Sequence, residues 1–185
     1  MNAAAGFVSA GCSCGIKKNG AEDLALVYSE VDAAAAGSFT ASRTSAAPVE
    51  LSRRHLASGR CRAVVINSGS ANAATGRKGA EDAEKMAEMT AASLGVETEA
   101  VAVCSTGRIG TFLPLEKIEA GIKELAAIIR SGGNRSAARA IMTTDTHPKE
   151  AAVRAEMDGG SFTVGGMAKG AGMIYPKMRV EGYPH

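Results

Sequence analysis

The stretch Arg62-Ala63-Val64-Val65-Ile66 predicts a buried strand, because it is a short apolar run rich in β-branched residues. It leads into NSGSANAATG at residues 67–76, a run of small and polar residues that predicts a loop. Residues 79–94 then carry apolar side chains at helical spacing and are followed by Gly95, a typical helix terminator. A strand, a loop and a helix in this order are typical of a layered α/β domain.

The same pattern recurs further along the chain. AVAVC at residues 100–104 predicts a second buried strand, which runs into the small-residue loop STGRIG at 105–110. Pro114 fits the first turn of a further helix. The remaining predicted elements are strands at 24–28, 38–40 and 48–52, short helices at 53–58 and 134–141, a hairpin turn at Asn19-Gly20, and a hairpin of residues 151–157 and 161–167. We therefore expect an α/β fold with a mixed sheet and packed helices.

Composition excludes several classes of function. The 185 residues predict one domain with a sizeable core. A net charge of +2 and an aromatic content of 4% without tryptophan argue against a nucleic-acid binder. No apolar run approaches the roughly 20 residues that span a membrane, and residues 1–7 lack the features of a signal peptide. We expect a cytoplasmic protein that binds neither nucleic acid nor membrane.

The cysteines do not have the spacing of a zinc site. They are Cys12, Cys14, Cys61 and Cys104, and the first two lie too close in sequence to pair readily. We expect reduced thiols that are buried or half-buried, and no metal.

Ser105-Thr106-Gly107 is the first candidate for chemistry. A loop that leaves a strand can aim a hydroxyl and backbone N–H groups at one point, as an oxyanion hole requires in acyl transfer. A plain strand-to-helix turn explains the same residues, because such turns are common.

Two further segments suit the binding of a small charged molecule. Thr143-Thr144-Asp145-Thr146 offers hydroxyls and a carboxylate to an amino acid, although the same residues also terminate helices. We expect Asp145 to shape this loop, and His147 to be a loop residue and not a general base. GGMAKGAGMIYPKM at residues 165–178 places Lys169 among glycines, so its ammonium can either face a ligand or lie at the surface.

Other polar residues are interpreted as structural. Asn67, Ser70 and Asn72 follow a predicted strand and can orient neighbouring groups. The carboxylates of Glu81, Asp82, Glu84 and Glu88 predict a solvated helix face.

Several of these segments, in this order, resemble the α chain of the ornithine acetyltransferase (ArgJ-type) family. The shared features are Gly6-Phe7, the loop at 67–76, the Ser-Thr-Gly loop, the Thr-Thr-Asp-Thr segment, and an end stretch close to the family pattern Lys-Gly-x-Gly-Met-Ile-x-Pro-x-Met-Ala-Thr. The match predicts one domain over residues 1–178 and a departing tail over 179–185.

The resemblance implies a glutamate N-acetyltransferase that moves acetyl from N2-acetylornithine to L-glutamate in arginine biosynthesis. Family members are made as a precursor that cuts itself before a threonine, and this threonine is the nucleophile at the start of a β chain. A fold completed by that β chain and an α2β2 assembly are therefore expected. No cofactor is expected, although some members also take acetyl from acetyl-CoA, and both types fit the sequence.

The resemblance also implies roles for individual residues. Thr106 and Gly107 correspond to the oxyanion-stabilising pair, and Thr143 and Lys169 to substrate-binding residues. Arg108 departs from the family, which typically has a small aliphatic residue there.

A second departure leaves two interpretations open. Arg179 and Val180 stand where the family has alanine and the nucleophilic threonine. Either the tail is a foreign or divergent end of an α chain whose β chain is separate, or the protein is a truncated, non-catalytic relative that serves as a binding or structural subunit.

Overall fold

A four-stranded sheet forms the centre of the computed structural model, which describes residues 2–133, 137–171 and 177–180. The strands are β1 (Phe7–Cys12), β2 (Leu24–Ala34), β3 (Ser38–Thr40), β4 (Arg60–Ser70), β5 (Val101–Arg108), β6 (Lys149–Met157), β7 (Gly160–Ala168) and β8 (Met178–Val180). The helices are α1 (Ala47–Leu56), α2 (Gly76–Leu94), α3 (Leu115–Arg130) and α4 (Ala137–Ala140), with a 3₁₀ turn at Thr98–Ala100.

The central sheet is mixed, as the sequence predicts. Its order is β1-β2-β4-β5, with β1–β2 and β2–β4 antiparallel and β4–β5 parallel. A parallel pair needs a crossover, which α2 provides between β4 and β5. The strands β6 and β7 form a separate antiparallel hairpin, and β3 pairs with β8.

The core lies between this sheet and the helices α2 and α3. Apolar side chains from both layers are almost fully buried there, among them Leu24, Leu26, Val65, Val101, Val103, Met86, Ile118, Ile122 and Leu125. The predicted strands 62–66 and 100–104 therefore supply the centre of the core. None of the helices described is both long enough and apolar enough to cross a bilayer.

Most predicted elements are present, with shifted ends. Gly95 ends α2 in the left-handed conformation with φ of 72°, as expected of a glycine terminator. Residues 48–52, predicted as a strand, belong to α1, because Pro48 occupies the first turn of that helix. The predicted loops are shorter than expected, since β4 continues to Ser70 and β5 to Arg108. The predicted start of a short helix at Asn134 lies outside the described residues.

The interpretation of Asp82 as a solvated carboxylate is wrong. Its side chain is fully buried on α2, whereas Glu81, Glu84 and Glu88 are exposed as predicted. Lys78, one turn earlier on the helix, forms a salt bridge with Asp82. A charge-paired carboxylate is tolerated on a buried helix face. The spacing of four residues is compatible with the pair, but it does not show that Asp82 lies on the buried face of α2.

The helix α1 covers the open edge of the sheet at β5. The hydroxyl of Ser52 donates to the carbonyl oxygen of Val103 at 2.6 Å and accepts from its N–H at 2.8 Å. Nδ1 of His55 lies 2.7 Å from the carbonyl oxygen of Val101. These side chains complete the hydrogen bonding of an edge strand that would otherwise be unpaired.

Replacing Ser52 by alanine should therefore lower the free energy of unfolding by about 1–3 kcal/mol, because both backbone groups of buried Val103 lose their partner. Urea unfolding measures this. Ser161→Ala, at an exposed position of β7, is the matched control and should cost less than about 0.5 kcal/mol. Equal losses in the two variants would contradict the role given to Ser52.

Candidate active site

A cleft of about 740 Å³ lies beyond the carboxyl ends of β4 and β5. Its lining residues are Ile16, Lys17, Lys18, Asn19, Gly69, Thr106, Gly107, Arg108, Thr143, Thr144 and Lys169. All four residues predicted from the sequence, Thr106, Gly107, Thr143 and Lys169, thus line one cleft. The carboxyl ends of parallel strands are a common place for ligands in α/β sheets.

Two glycines let the parallel strands meet at the floor of this cleft. Gly69 and Gly107 are register partners, and both have positive φ, 113° and 132°. A Cβ atom on Gly107 would lie 2.4 Å from the carbonyl carbon of Gly69, and one on Gly69 would lie 2.7 Å from Cγ2 of Ile16. Side chains are therefore excluded here, and the backbone itself faces the cleft.

Thr106 precedes this contact and presents its side chain to the cleft. The residue is half-buried, and its hydroxyl has no hydrogen-bond partner among the described residues. The neighbouring Ser105 is also half-buried, but its hydroxyl oxygen is fully buried and likewise unpaired within the described part of the chain. Thr106 is therefore free to donate a hydrogen bond to a ligand.

Asp145 holds the loop that carries Thr143. Its carboxylate accepts hydrogen bonds from the backbone N–H of Thr143 at 3.0 Å and from the ammonium of Lys149 at 2.8 Å. A Cβ atom on Gly170 would lie 2.6 Å from Oδ1 of Asp145, so the segment after Lys169 packs directly on this carboxylate. The hydrogen bond from Lys149 and then that from Thr143 hold the pKa of Asp145 well below its ordinary value. The loop-shaping role expected of Asp145 is confirmed.

The loop between β1 and β2 closes another side of the cleft. Buried Asp23 accepts from the backbone N–H of Cys14 at 2.7 Å and of Lys17 at 2.8 Å, which fixes the loop. The Lys17 ammonium donates to the carbonyl oxygens of Glu22 and Met142, both at 2.7 Å. Burial lowers the pKa of Lys17, although Asp23 and Glu22 oppose this. The loop is therefore tied to the segment that leads into Thr143.

The cleft carries positive charge. Lys17, Lys18, Arg108 and Lys169 line it, and no Asp or Glu is among its described lining residues. The half-buried Lys169 has its ammonium 3.0 Å from the carbonyl oxygen of Gly170, which leaves further donors for a ligand. Such a cleft suits a ligand with a carboxylate.

Sequence reasoning missed Lys17, Lys18 and Gly69 as parts of this cleft. The Lys17-Lys18-Asn19-Gly20 segment indicates only a hairpin turn in the sequence, and the fold brings it near Thr143. The position of Gly69 in a small-residue run directly after a buried strand was the one available signal.

Other candidates prove structural or lie elsewhere. Nδ2 of Asn67 donates to the carbonyl oxygen of Ser70 at 2.8 Å, and Nδ2 of Asn72 donates to that of Gly79 at 2.8 Å. These buried amides hold the end of β4 and the start of α2, as interpreted. His147 is exposed and does not line the cleft. Within the residues that the structure covers, no His, Cys, Asp or Glu side chains cluster as a metal site.

None of the four cysteines forms a disulfide in the part of the chain that the structure describes. Cys12 is buried and Cys14 and Cys61 are half-buried, as expected, whereas Cys104 at the end of the predicted strand is exposed. Burial, followed by the neighbouring Asp23, raises the pKa of Cys14, so this thiol stays protonated near neutral pH.

Comparisons with known sequences agree on one family. Residues 8–180 match the model of the ArgJ family. A Symbiobacterium thermophilum protein named arginine biosynthesis bifunctional protein ArgJ is 50% identical over 180 residues, which cover 96% of this chain and 45% of that protein. The protein of the same name from Mycobacterium leprae is 50% identical over 186 residues, which again cover 96% of this chain and 45% of that protein. The chain therefore spans less than half the length of these curated relatives.

Solved structures agree on the fold. The crystal structure of ArgJ from Bacillus halodurans superposes with a TM-score of 0.87 at 38% identity, covering 96% of this chain and 93% of that chain. The ornithine acetyltransferase of Mycobacterium tuberculosis, solved in complex with ornithine, gives a TM-score of 0.87 at 46% identity. The match covers 96% of this chain and 95% of that chain. These likenesses confirm the layered α/β fold expected from the sequence.

Gly107→Ala should destabilise the protein more than Gly110→Ala. Positive φ, 132° and 74°, penalises alanine at both positions, by about 1–3 kcal/mol each. Only at Gly107 would the new Cβ also collide with backbone, since nothing lies within 4 Å of a Cβ at Gly110. Urea unfolding of both variants measures the difference, and equal losses would show that the strands do not meet as closely as described.

Acid should weaken the stabilisation that Asp145 provides. Its pKa is lowered in the folded protein, so the contribution is complete above the ordinary value of 3.8 and is lost as the pH falls from there towards the folded value. The difference in free energy of unfolding between wild type and Asp145→Asn should be constant near neutrality and shrink below pH of about 4. Asp158→Asn, at the exposed hairpin turn, is the control. A difference that persists unchanged in acid would count against the hydrogen bonds of Asp145.

Proposed function

Because this chain belongs to the ArgJ family, we propose that it is the α chain of an acetyltransferase that moves acetyl from N2-acetylornithine to L-glutamate in arginine biosynthesis. The observation that carries the proposal is the meeting of Thr106, Gly107, Thr143 and Lys169 in one positively charged cleft. The similar protein from Mycobacterium tuberculosis, described as an ornithine acetyltransferase complexed with ornithine, supports the choice of substrate.

In the proposed reaction the N-terminal threonine of a β chain attacks the acetyl carbonyl of N2-acetylornithine. Its own α-amine takes the hydroxyl proton, as in other N-terminal nucleophiles. The carbonyl oxygen becomes an oxyanion, to which Thr106 and the backbone at Gly107 donate hydrogen bonds. Collapse breaks the C–N bond, ornithine leaves with a proton on its amine, and the acetyl group remains as an ester on the threonine. The amine of glutamate then attacks this ester and regenerates the hydroxyl.

Thr143 and Lys169 hold the amino-acid part of the substrate in this scheme. The Lys169 ammonium pairs with a carboxylate, and the hydroxyl of Thr143 supplies a neutral hydrogen bond. Both residues depend on Asp145, which binds the N–H of Thr143 and contacts Gly170. No metal or cofactor takes part, and acetyl-CoA is a second acetyl donor, in keeping with the word bifunctional in the relatives' names.

A separate β chain fits the lengths of the relatives. The chain covers 45% of the curated Symbiobacterium thermophilum protein, yet 93% and 95% of the two solved chains. This contrast supports a precursor that is divided into two chains, and we propose an α2β2 assembly of them.

The presence of Arg179 and Val180 favours a second candidate, a non-catalytic binding or structural subunit. Valine has no hydroxyl and cannot serve as the nucleophile of a family-type cleavage. Mass spectrometry of the protein purified from its source distinguishes the two. A stoichiometric second chain that begins with threonine supports the enzyme, and a lone chain of 18.8 kDa supports the binding subunit.

Replacing Thr106 by alanine in the assembled enzyme should slow acetyl transfer by about 10²–10³-fold, because one donor to the oxyanion is lost. The rate is measured as formation of N-acetylglutamate. Thr98→Ala is the control, because Thr98 lies in the 3₁₀ turn before β5, at the end of the strand away from the cleft. It should leave the rate unchanged. An unchanged rate in Thr106→Ala would place the oxyanion hole elsewhere.

Lys169→Met should weaken binding of N2-acetylornithine by about tenfold or more, since a hydrogen bond to a charged group contributes roughly 1.5–3 kcal/mol. Thr143→Val should have a smaller effect, because a neutral hydrogen bond contributes about 0.5–1.5 kcal/mol. KM and kcat of the assembled enzyme measure both, with exposed Lys123→Met as the control. If Lys169→Met changes neither constant while the two chains are present and folded, Lys169 is a surface residue.

A further inference from the structure

The strands β6 and β7 form a hairpin that is separate from the central sheet in its hydrogen bonding. The two strands of nine residues each pair only with one another among the described residues. An isolated two-stranded ribbon is marginally stable in water and needs another element against one of its faces.

One face of this hairpin is apolar except at its base, where Lys149 pairs with Ala168. Directly opposite residues of an antiparallel pair share a face, and the pairs on this face are Ala151 with Gly166, Val153 with Val164, Ala155 with Phe162, and Met157 with Gly160. The other face is mostly polar and carries Glu150, Arg154, Glu156, Ser161 and Thr163 beside Ala152, Gly165 and Met167. The division between apolar and polar residues is typical of a ribbon with one buried face.

The apolar face is nevertheless open to solvent. The exposed fractions are 66% for Val153, 60% for Val164, 48% for Phe162 and 67% for Met157. On the opposite face, by contrast, Met167 packs against the small cluster of Ala25, Ala137, Ala140 and Ile141. Adjoining large apolar side chains that remain this exposed mark a surface that another chain covers.

We propose that this apolar face is the docking surface for the β chain, the part of the longer relatives that this chain does not match. The inference rests on the proposed function for the identity of that partner. The unmatched part is more than half of the Symbiobacterium thermophilum relative, which is ample to cover a nine-residue hairpin. From the pair Ala151–Gly166 to the pair Met157–Gly160, this face carries no charged side chain. It therefore fits an apolar surface of the partner.

The base of the hairpin favours the β chain over a second copy of this chain. At the start of β6, Lys149 donates to the carboxylate of Asp145, and the last residue of β7 is followed directly by Lys169. A partner that brings the nucleophilic threonine must reach the cleft lined by Thr143 and Lys169. Seated on the hairpin, it lies beside the two segments that position these residues.

The test uses the full 185-residue chain and, as the partner, the Symbiobacterium thermophilum ArgJ segment that lies after the matched region, expressed separately. Val164→Asp places a charge in the middle of the apolar face. It should raise the Kd of the pair by about 30-fold or more, as expected of a central interface residue. Thr163→Asp, the adjacent position on the polar face, adds the same charge and should change Kd by less than about threefold.

Circular dichroism shows that the variants and the partner segment are folded before binding is measured, and Phe162→Ser serves as a milder second variant on the apolar face. Equal affinities for Val164→Asp, Phe162→Ser and Thr163→Asp, or no binding by the wild-type chain, would overturn the proposal. A wild-type homodimer in light scattering that Val164→Asp disrupts would identify a second copy as the occupant and overturn it too. Face-dependent binding without acetyl transfer would uphold the docking surface and refute only the reaction.

Discussion

The contact between the backbones of Gly69 and Gly107 is the constraint on which the cleft depends. It requires two parallel strands in register, each with a glycine at positive φ at the same level. Parallel pairing in turn requires the crossover through α2, whose apolar face completes the core. The same packing that stabilises the fold therefore places Thr106 beside the exposed backbone of Gly69 and Gly107 at the bottom of the cleft. In an acyl-transfer site such an arrangement allows the reacting carbonyl to approach backbone donors without obstruction by side chains.

A second tie links the hairpin to the cleft. Asp145 joins three segments by accepting from Thr143 and Lys149 and by contacting Gly170. The two proposed substrate anchors, Thr143 and Lys169, thus depend on one carboxylate. If the β chain sits on the apolar face of β6 and β7, its docking also fixes the base of the hairpin. Assembly and substrate binding would then be coupled through Asp145.

Much of this was accessible from the sequence because local patterns and packing agree. Apolar runs at 62–66 and 100–104 are buried strands, and the alternation around residues 151–167 is a hairpin. The errors arise where tertiary contacts decide. Residues 48–52 have strand-like composition, but Pro48 begins a helix that satisfies the open edge of β5 through Ser52. Asp82 lies on the packed face of α2, and its pair with Lys78 compensates the buried charge. Lys17 is held at the cleft by a long-range hydrogen bond to the carbonyl oxygen of Met142, which no short sequence pattern predicts.

A crystal structure of this chain assembled with the proposed β chain and bound to ornithine is the decisive experiment. We expect an ornithine carboxylate oxygen within about 3.2 Å of Nζ of Lys169 and of the hydroxyl of Thr143. We also expect the β-chain threonine to face Thr106 and Gly107 across the same cleft. Ornithine bound outside this cleft, or a threonine remote from Thr106, would contradict the proposed site.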